Sequence, residues 1–259
     1  GGGTNLVISD QGFNGLVLKP NLLKMESSNP SIRVEAGVLI SDLLGFTIDK
    51  KLSGLEWAGG LPGTLGGAIR GNAGAFKGEI KDLVEEVESL DISGEPKVIR
   101  RSHQECRFGY RTSIFKENDG REIILAATLK LQPGYKTKIR KAIEAKIKYR
   151  RERHPMEYPN IGSIFKNVEV AKISGKLRPL FQHVIKTDPF PVIPTAYLIA
   201  QAGLKGVSSG GAMVSPKHPN FIVNVLNAKA EDVKHLANLV KQTIKQKFGI
   251  ALEEEVIYV

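Results

Sequence analysis

The chain has 259 residues, enough for a sizeable core and one or two domains, and 41% hydrophobic residues, an ordinary globular composition. No apolar run approaches the ~20 residues that span a bilayer, no signal peptide is recognised, and the single cysteine, Cys106, allows neither an internal disulfide nor a cysteine-built metal site. Lys and Arg number 37 against 27 Asp and Glu, a formal net charge of +10, which raises nucleic acid as a partner. No zinc-finger or RNA-binding signature supports that. Much of the surplus instead sits in Lys136–Arg153, where Ile139, Ala142, Ile143 and Ala145–Ile147 form an apolar stripe at helical spacing among cations. The expectation is a solvated helix face that could also attract an anionic ligand. A nucleic-acid partner is not expected.

The start is a glycine turn, Gly1-Gly2-Gly3-Thr4-Asn5, running straight into the apolar residues Leu6–Ile8. No strand precedes the turn, so a truncated chain is expected. Short apolar runs follow at Leu16–Leu18, Ile32–Ala36, Leu83–Leu90 and Ile123–Leu131, separated by Asp, Asn, Gly and Pro, as expected of strands joined by turns. Ser41–Lys50 reads as a short helix with Ser41 as its N-cap. Trp57–Ile80 is glycine-rich and follows neither period throughout; a loop that long inside a compact domain is usually functional.

After Pro133-Gly134 comes the basic helix, and a domain boundary is expected there, giving domains 1–134 and 135–259. Pro155–Asn167 reads as a loop leading into an irregular basic stretch that ends at Pro194. Tyr197–Ala202 predicts a short helix ended by Gly203, and Asn220–Val225 a strand. Glu231–Phe248 carries the clearest helical period, through Val233, Leu236, Leu239, Val240 and Ile244, and Gly249 stops it. Leu252–Val259 predicts a closing strand bearing Glu253, Glu254 and Glu255.

The strongest chemical signal is the segment from Gly54 to Phe76, GLEWAGGLPGTLGGAIRGNAGAF. Glycines at such density let backbone N–H groups approach a pyrophosphate without Cβ obstruction, and Thr64 and Asn72 can add side-chain hydrogen bonds. It is not the strand-to-helix dinucleotide fingerprint. By glycine content alone it could equally be a tight turn network with no ligand.

The full string closely resembles the flavin loop of the UDP-N-acetylenolpyruvoylglucosamine reductases, the MurB family, written G-L-E-x-x-x-G-I-P-G-T-x-G-G-A-x-x-x-N-A-G-A. The opening Gly1–Leu6 resembles the family's other flavin loop, G-G-G-S-N-L, which a small βα subdomain precedes in the family. Further resemblances follow in order. Phe108–Lys116 resembles F-G-Y-R-x-S-x-F-K, and Pro159–Asn167 resembles P-S-A-G-S-x-F-K-N. Leu198–Gly206, Gly210–Ala212 and Ser215–Asn224 follow, and Leu252–Val256 resembles L-E-P-E-V. Asn160, Ile161 and Val168 replace the usual Ser, Ala and Pro, Glu254 replaces a Pro, and Glu169–Pro194 is longer than in most members.

The resemblance implies an α+β protein: an FAD-binding domain of the PCMH/vanillyl-alcohol-oxidase type, lacking its first subdomain, plus a smaller α+β substrate-binding domain. It implies FAD and NADPH as cofactors, no metal, and reduction of UDP-N-acetylglucosamine enolpyruvate to UDP-N-acetylmuramate for peptidoglycan synthesis by a cytoplasmic, monomeric enzyme. No nucleic acid or membrane partner is implied. Gly2, Gly3, Thr4, Asn5, Pro62, Gly63, Thr64, Gly67, Asn72 and Gly74 fall at cofactor positions. Arg111 falls where a guanidinium grips the substrate carboxylate and stabilises an enediolate-like species. Ser163 falls at the proton donor, a weak acid matched to a strongly basic intermediate. Glu255 falls where a carboxyl helps polarise the same substrate group through a shared proton or water, with Glu253 a weaker candidate. Tyr158, Asn167, Lys205 and His218 are the substrate-contact candidates. Two other readings stay open on sequence: another flavin oxidoreductase of the same architecture, or an inactive ligand-binding fragment.

Overall fold

The computed structural model describes residues 1–259. Packing divides them into two compact units, Gly1–Gly2 with Val17–Tyr149, and Gly3–Leu16 with Arg150–Val259. The division falls inside helix Lys136–Arg153, beyond the 134/135 boundary expected from the Pro-Gly turn. The reason is side-chain burial: Ile139 and Ile143 lie in the core of the first unit, with Ile147 packed on it.

The first unit is built on a five-stranded antiparallel sheet. Its order is Met25–Ser28, Ser31–Glu35, Glu122–Lys130, Val84–Asp91, Lys97–Ser102. Alternation in Ser31–Glu35 buries Ile32 and Val34 completely and leaves Ser31, Arg33 and Glu35 half-buried, as a sheet with one covered face requires. Arg33 makes a two-point ion pair with Glu88 across the sheet, and Arg101 does the same with Glu122. Helix Ile40–Lys50 covers the core with Leu43, Leu44 and Thr47. Its N-cap is Leu39 rather than Ser41, whose hydroxyl bonds Asp42 instead; the helix begins one residue earlier because Ile40 N–H donates to the Gly63 carbonyl.

The second unit holds a four-stranded antiparallel sheet, ordered Asn160–Ser163, Phe221–Asn224, Ala212–Val214, Ser208–Ser209. Helix Ala230–Phe248 buries Leu236, Ala237, Val240 and Ile244 against its core. Gly249 ends that helix at φ 68°, a left-handed conformation that glycine adopts without Cβ strain. Leu6–Val7 pairs in parallel with Ile257–Tyr258, joining the two ends of this unit.

Three expected elements differ. Leu16–Leu18 forms no strand and is strongly exposed. The closing strand reduces to Ile257–Tyr258 plus an isolated bridge at Glu254, because the segment changes partner midway. Met25–Ser28 and Lys97–Ser102, too polar to read as strands, pair at the two edges of the first sheet.

Candidate active site

In the first unit the glycine-rich segment is stitched onto residues 36–40. Leu65 N–H donates to the Val38 carbonyl and Gly66 N–H to that of Ala36, both at 2.9 Å. A Cβ on Gly66 would fall 2.9 Å from that of Ala36, so only glycine permits the approach. Pro62 precedes Gly63, whose φ of 100° turns the chain into Thr64. Thr64 is extended and 8% exposed, and its hydroxyl does not cap the short helix Leu65–Arg70 that follows.

Gly1, in the same unit, reaches this threonine. A Cβ on Gly1 would stand 3.2 Å from Thr64 Oγ1, and one on Gly67 would meet only that same hydroxyl, at 3.7 Å. Backbone with open space beside it and a hydroxyl at the junction fit a diphosphate-bearing cofactor such as FAD. Gly2, Gly3 and Thr4 are exposed; Gly3 has φ 68° and no heavy atom within 4 Å of a Cβ placed there.

Asn72 has a different task from the one expected. It is fully buried at φ 43°, its Nδ2 donates to the Gly109 carbonyl at 2.8 Å and to Glu79, and its Oδ1 accepts from Lys81 N–H. Both ends of the amide therefore staple the loop internally. Gly74 opens a tight hairpin with Gly78–Glu79 and offers its carbonyl to Arg111 Nη2 at 2.8 Å. A second Arg111 nitrogen reaches the Asn72 carbonyl at 3.4 Å. Arg111 itself sits at φ 56°, a strained conformation for a non-glycine residue. Folding thus brings Asn72, Gly74 and Arg111 together, although the sequence separates them by a sheet strand and its hairpin partner.

In the second unit Ser163 ends its strand after a bulge. Gly162 takes φ 82°, and its N–H donates to Asn160 Oδ1 at 3.1 Å. Asn160, a departure from the usual serine, also donates to the carbonyls of Pro155 and Tyr158, so it supports the turn by itself. Asn220 clamps the other side. It is 4% exposed, and its Nδ2 and Oδ1 bond the Phe165 carbonyl and N–H. The sequence reading missed this role; the signal available was a lone Asn at the mouth of an apolar strand.

The C-terminal acids run beside this serine loop. Glu255 N–H donates to the Ile164 carbonyl at 2.8 Å, one residue past Ser163. Glu253 is held by Lys166 and Lys172, whose hydrogen bonds and charge keep its carboxyl below the usual range. Glu254 pairs with Lys241 and accepts from the Tyr258 hydroxyl, which burial and this carboxylate push above the usual phenol range. The neighbouring acids are thereby committed to ion pairs on this unit's own surface.

The substrate-contact candidates lie on separate segments of the second unit. Asn167 Oδ1 accepts from Thr195 N–H at 3.1 Å, a structural bond. Lys205 is exposed in the tight turn between Gly203 and Gly206, and Tyr158 is 41% exposed. The His218 ring packs on Phe221 and on His154, with centroids 4.8 and 5.3 Å away, and its Nδ1 is buried with no hydrogen-bond partner. His154, which the sequence reading did not single out, is pushed down to about 4 by burial and by the nearby His218, Arg150 and Lys217 charges.

Residues 1–100 match an FAD-binding domain family, and residues 154–259 match the C-terminal domain of UDP-N-acetylenolpyruvoylglucosamine reductase. The chain is 39% identical over 257 residues to UDP-N-acetylenolpyruvoylglucosamine reductase of Caldanaerobacter subterraneus subsp. tengcongensis, covering 99% of this chain and 76% of that protein. The chain belongs to the UDP-N-acetylenolpyruvoylglucosamine reductase family. The enzyme of that name from Listeria monocytogenes serotype 4b is 38% identical, with 78% of its length covered. The crystal structure of UDP-N-acetylenolpyruvylglucosamine reductase (MurB) from Thermus caldophilus superposes with a TM-score of 0.75 at 28% identity, over 99% of this chain and 82% of that one. Membership in the reductase family fits the α+β layout and the flavin-type loops. No helix is long and apolar enough to cross a membrane.

Proposed function

We propose that Arg111, Ser163 and Glu255 carry the chemistry of this family in this chain. The protein is an FAD-dependent, NADPH-driven oxidoreductase that reduces UDP-N-acetylglucosamine enolpyruvate to UDP-N-acetylmuramate, a step of peptidoglycan precursor synthesis. FAD, when bound, supplies the redox chemistry, passing hydride from NADPH to the enolpyruvyl double bond. We assign Gly2, Gly3, Thr4, Pro62, Gly63, Thr64 and Gly67 to cofactor contact; Asn72 and Gly74 shape the loop and anchor Arg111.

The remaining work falls to side chains. Hydride addition leaves negative charge beside the substrate carboxylate. The Arg111 guanidinium, always charged and aimed by two backbone carbonyls, would stabilise it. Ser163 would donate the proton to the adjacent carbon. Glu255 would share a proton with the carboxylate so that it accepts charge. The observation carrying this reading is the hydrogen bond from Glu255 N–H to the Ile164 carbonyl, which sets the acid strand directly beside the serine loop. We assign Tyr158, Lys205 and His218 to substrate contact, with Asn167 supporting the loop.

The test is spectroscopic. The protein reconstituted with FAD should be yellow, bleach on anaerobic addition of NADPH, and regain colour on addition of the enolpyruvyl sugar. Bleaching without substrate-dependent recovery would reject the reductase in favour of another flavin oxidoreductase of the same architecture. Absence of flavin binding would reject both. A cytoplasmic, monomeric protein is part of the same reading, since NADPH and UDP-sugars are cytoplasmic solutes.

A further inference from the structure

The side chain of Asn5 does something that its place in a glycine turn does not announce. Its Nδ2 donates to the backbone carbonyl of Glu255 at 2.9 Å, across 250 residues of sequence, in a half-buried position. Its own carbonyl accepts from Ile257 N–H at 3.1 Å, the first backbone rung of the parallel pairing of Leu6–Val7 with Ile257–Tyr258.

Glu255 lies where the C-terminal segment changes partner. On its N-terminal side the segment follows the serine loop: Lys166 N–H donates to the Glu253 carbonyl, Glu254 bridges Phe165, and Glu255 N–H donates to Ile164. On its C-terminal side the segment follows the N-terminal strand, through Ile257 to Asn5 and Val259 to Val7. Glu255 is the crossover. The last bond to the serine loop uses its N–H, and its carbonyl precedes the first backbone rung to the other strand. Asn5 fills that gap with a side-chain donor, so both backbone groups of Glu255 are held. With its carbonyl unheld, the crossover residue would be tied to the serine loop on one side only, and its carboxyl would be less firmly oriented.

We propose that Asn5 is a positioning residue for Glu255. The turn Gly1–Thr4 then serves the cofactor through its backbone while the next residue orients the acid through its side chain, so one loop sets both. The inference rests on the reading of Glu255 as the acid that acts on the substrate carboxylate.

Asn5→Asp tests it, since this change keeps the size and replaces the donor with an oxygen that repels the Glu255 carbonyl. The FAD-loaded protein is followed by stopped flow in its two half-reactions, alongside Glu255→Gln and the double variant. Loss of one half-buried hydrogen bond is expected to slow reoxidation by the enolpyruvyl sugar about ten-fold, with FAD affinity and NADPH bleaching changed by no more than about two-fold. In the Glu255→Gln background Asn5→Asp should add almost nothing, because residues acting through one group are not additive. Amide hydrogen exchange at Glu255 and Ile257 is also followed in the protein without cofactor, and it should speed up in Asn5→Asp, although an added carboxylate by itself slows exchange, and stay near the wild-type rate in Asn5→Gln, which keeps a donor.

Equal losses in FAD affinity and bleaching would make Asn5 a cofactor contact and overturn the proposal. So would effects of Asn5→Asp and Glu255→Gln that simply multiply, or unchanged amide exchange at Glu255 and Ile257. If Glu255→Gln reoxidises at the wild-type rate, the catalytic reading of Glu255 fails. Faster amide exchange in Asn5→Asp would in that case still establish the link from Asn5 to the Glu255 backbone.

Discussion

Ser163 and Arg111 are asked for different things, and substitution should separate them. Proton donation enters only when reduced flavin meets the enolpyruvyl sugar. Ser163→Ala should leave NADPH-driven bleaching nearly intact and slow reoxidation by ~10²–10⁴-fold, the usual contribution of a positioned general acid. Ser163→Cys should retain more, since a thiol still donates. A wild-type reoxidation rate in Ser163→Ala, read by stopped flow, would show that the proton comes from elsewhere. Arg111→Lys should raise KM and lower kcat together, because an ammonium cannot keep two backbone carbonyls and grip a carboxylate as a planar fork does. Steady-state kinetics with varied enolpyruvyl sugar would show it; a change confined to KM would restrict Arg111 to ground-state binding.

The histidine pair gives a pH signature. The folded protein holds His154 down at about 4, below the ~6.5 of a free imidazole, chiefly by burial, then by the charges of His218, Arg150 and Lys217. His218 is lowered too, again by burial first. Both groups bind protons more readily when unfolded. Their share of stability is therefore present above pH ~6.5 and lost as pH falls toward the folded value. The unfolding temperature should drop between pH 6.5 and 4.5, and His154→Leu should flatten that slope. An identical slope in the variant, by scanning calorimetry, would assign the acid sensitivity to other groups.

At the scale of elements, helix Lys136–Arg153 shows how little a compositional reading says about allegiance. Its cations lie on a solvated face and its apolar stripe faces a core, as the period predicts, but neither says which unit's core that is. The stripe ties it to the first unit, where Gly59 approaches so closely that a Cβ there would fall 2.6 Å from the Ile143 carbonyl. Ile143→Ala should cost ~2–4 kcal/mol of stability, as deletion of buried methyl groups does, whereas Lys141→Ala on the exposed face should cost less than ~0.5 kcal/mol. Urea denaturation compares them; equal effects would mean that the helix is not anchored by its stripe. The edge strands tell the same story from the other side. Met25–Ser28 and Lys97–Ser102 lack an apolar run because edge strands here are half-exposed, so their identity came from pairing and not from pattern.

For the whole molecule, the net charge of +10 keeps copies apart at low salt, consistent with the proposed monomer. Light scattering across protein concentrations should report the mass of one chain, and a concentration-dependent dimer would correct this.

What the sequence determined by itself is whatever physics keeps local. Helix Ala230–Phe248 and its Gly249 stop, the helical span Lys136–Arg153, and the glycine segments with their open backbone all follow from period, conformational freedom and composition within a few turns of chain. The order of motifs added the family, and with it the proposal of Arg111, Ser163 and Glu255 as catalytic residues. Tertiary structure decided where polar groups spend their hydrogen bonds. Asn72 could have faced a cofactor, and burial against Gly109 and Glu79 turned it into a staple. Asn167 went to Thr195, Asn220 to Phe165, and Asn5 to Glu255. An amide can serve a ligand or a distant backbone group with equal chemistry. Only the pairing of segments far apart in the chain chooses between them, because a buried donor must find an acceptor wherever the fold has placed one.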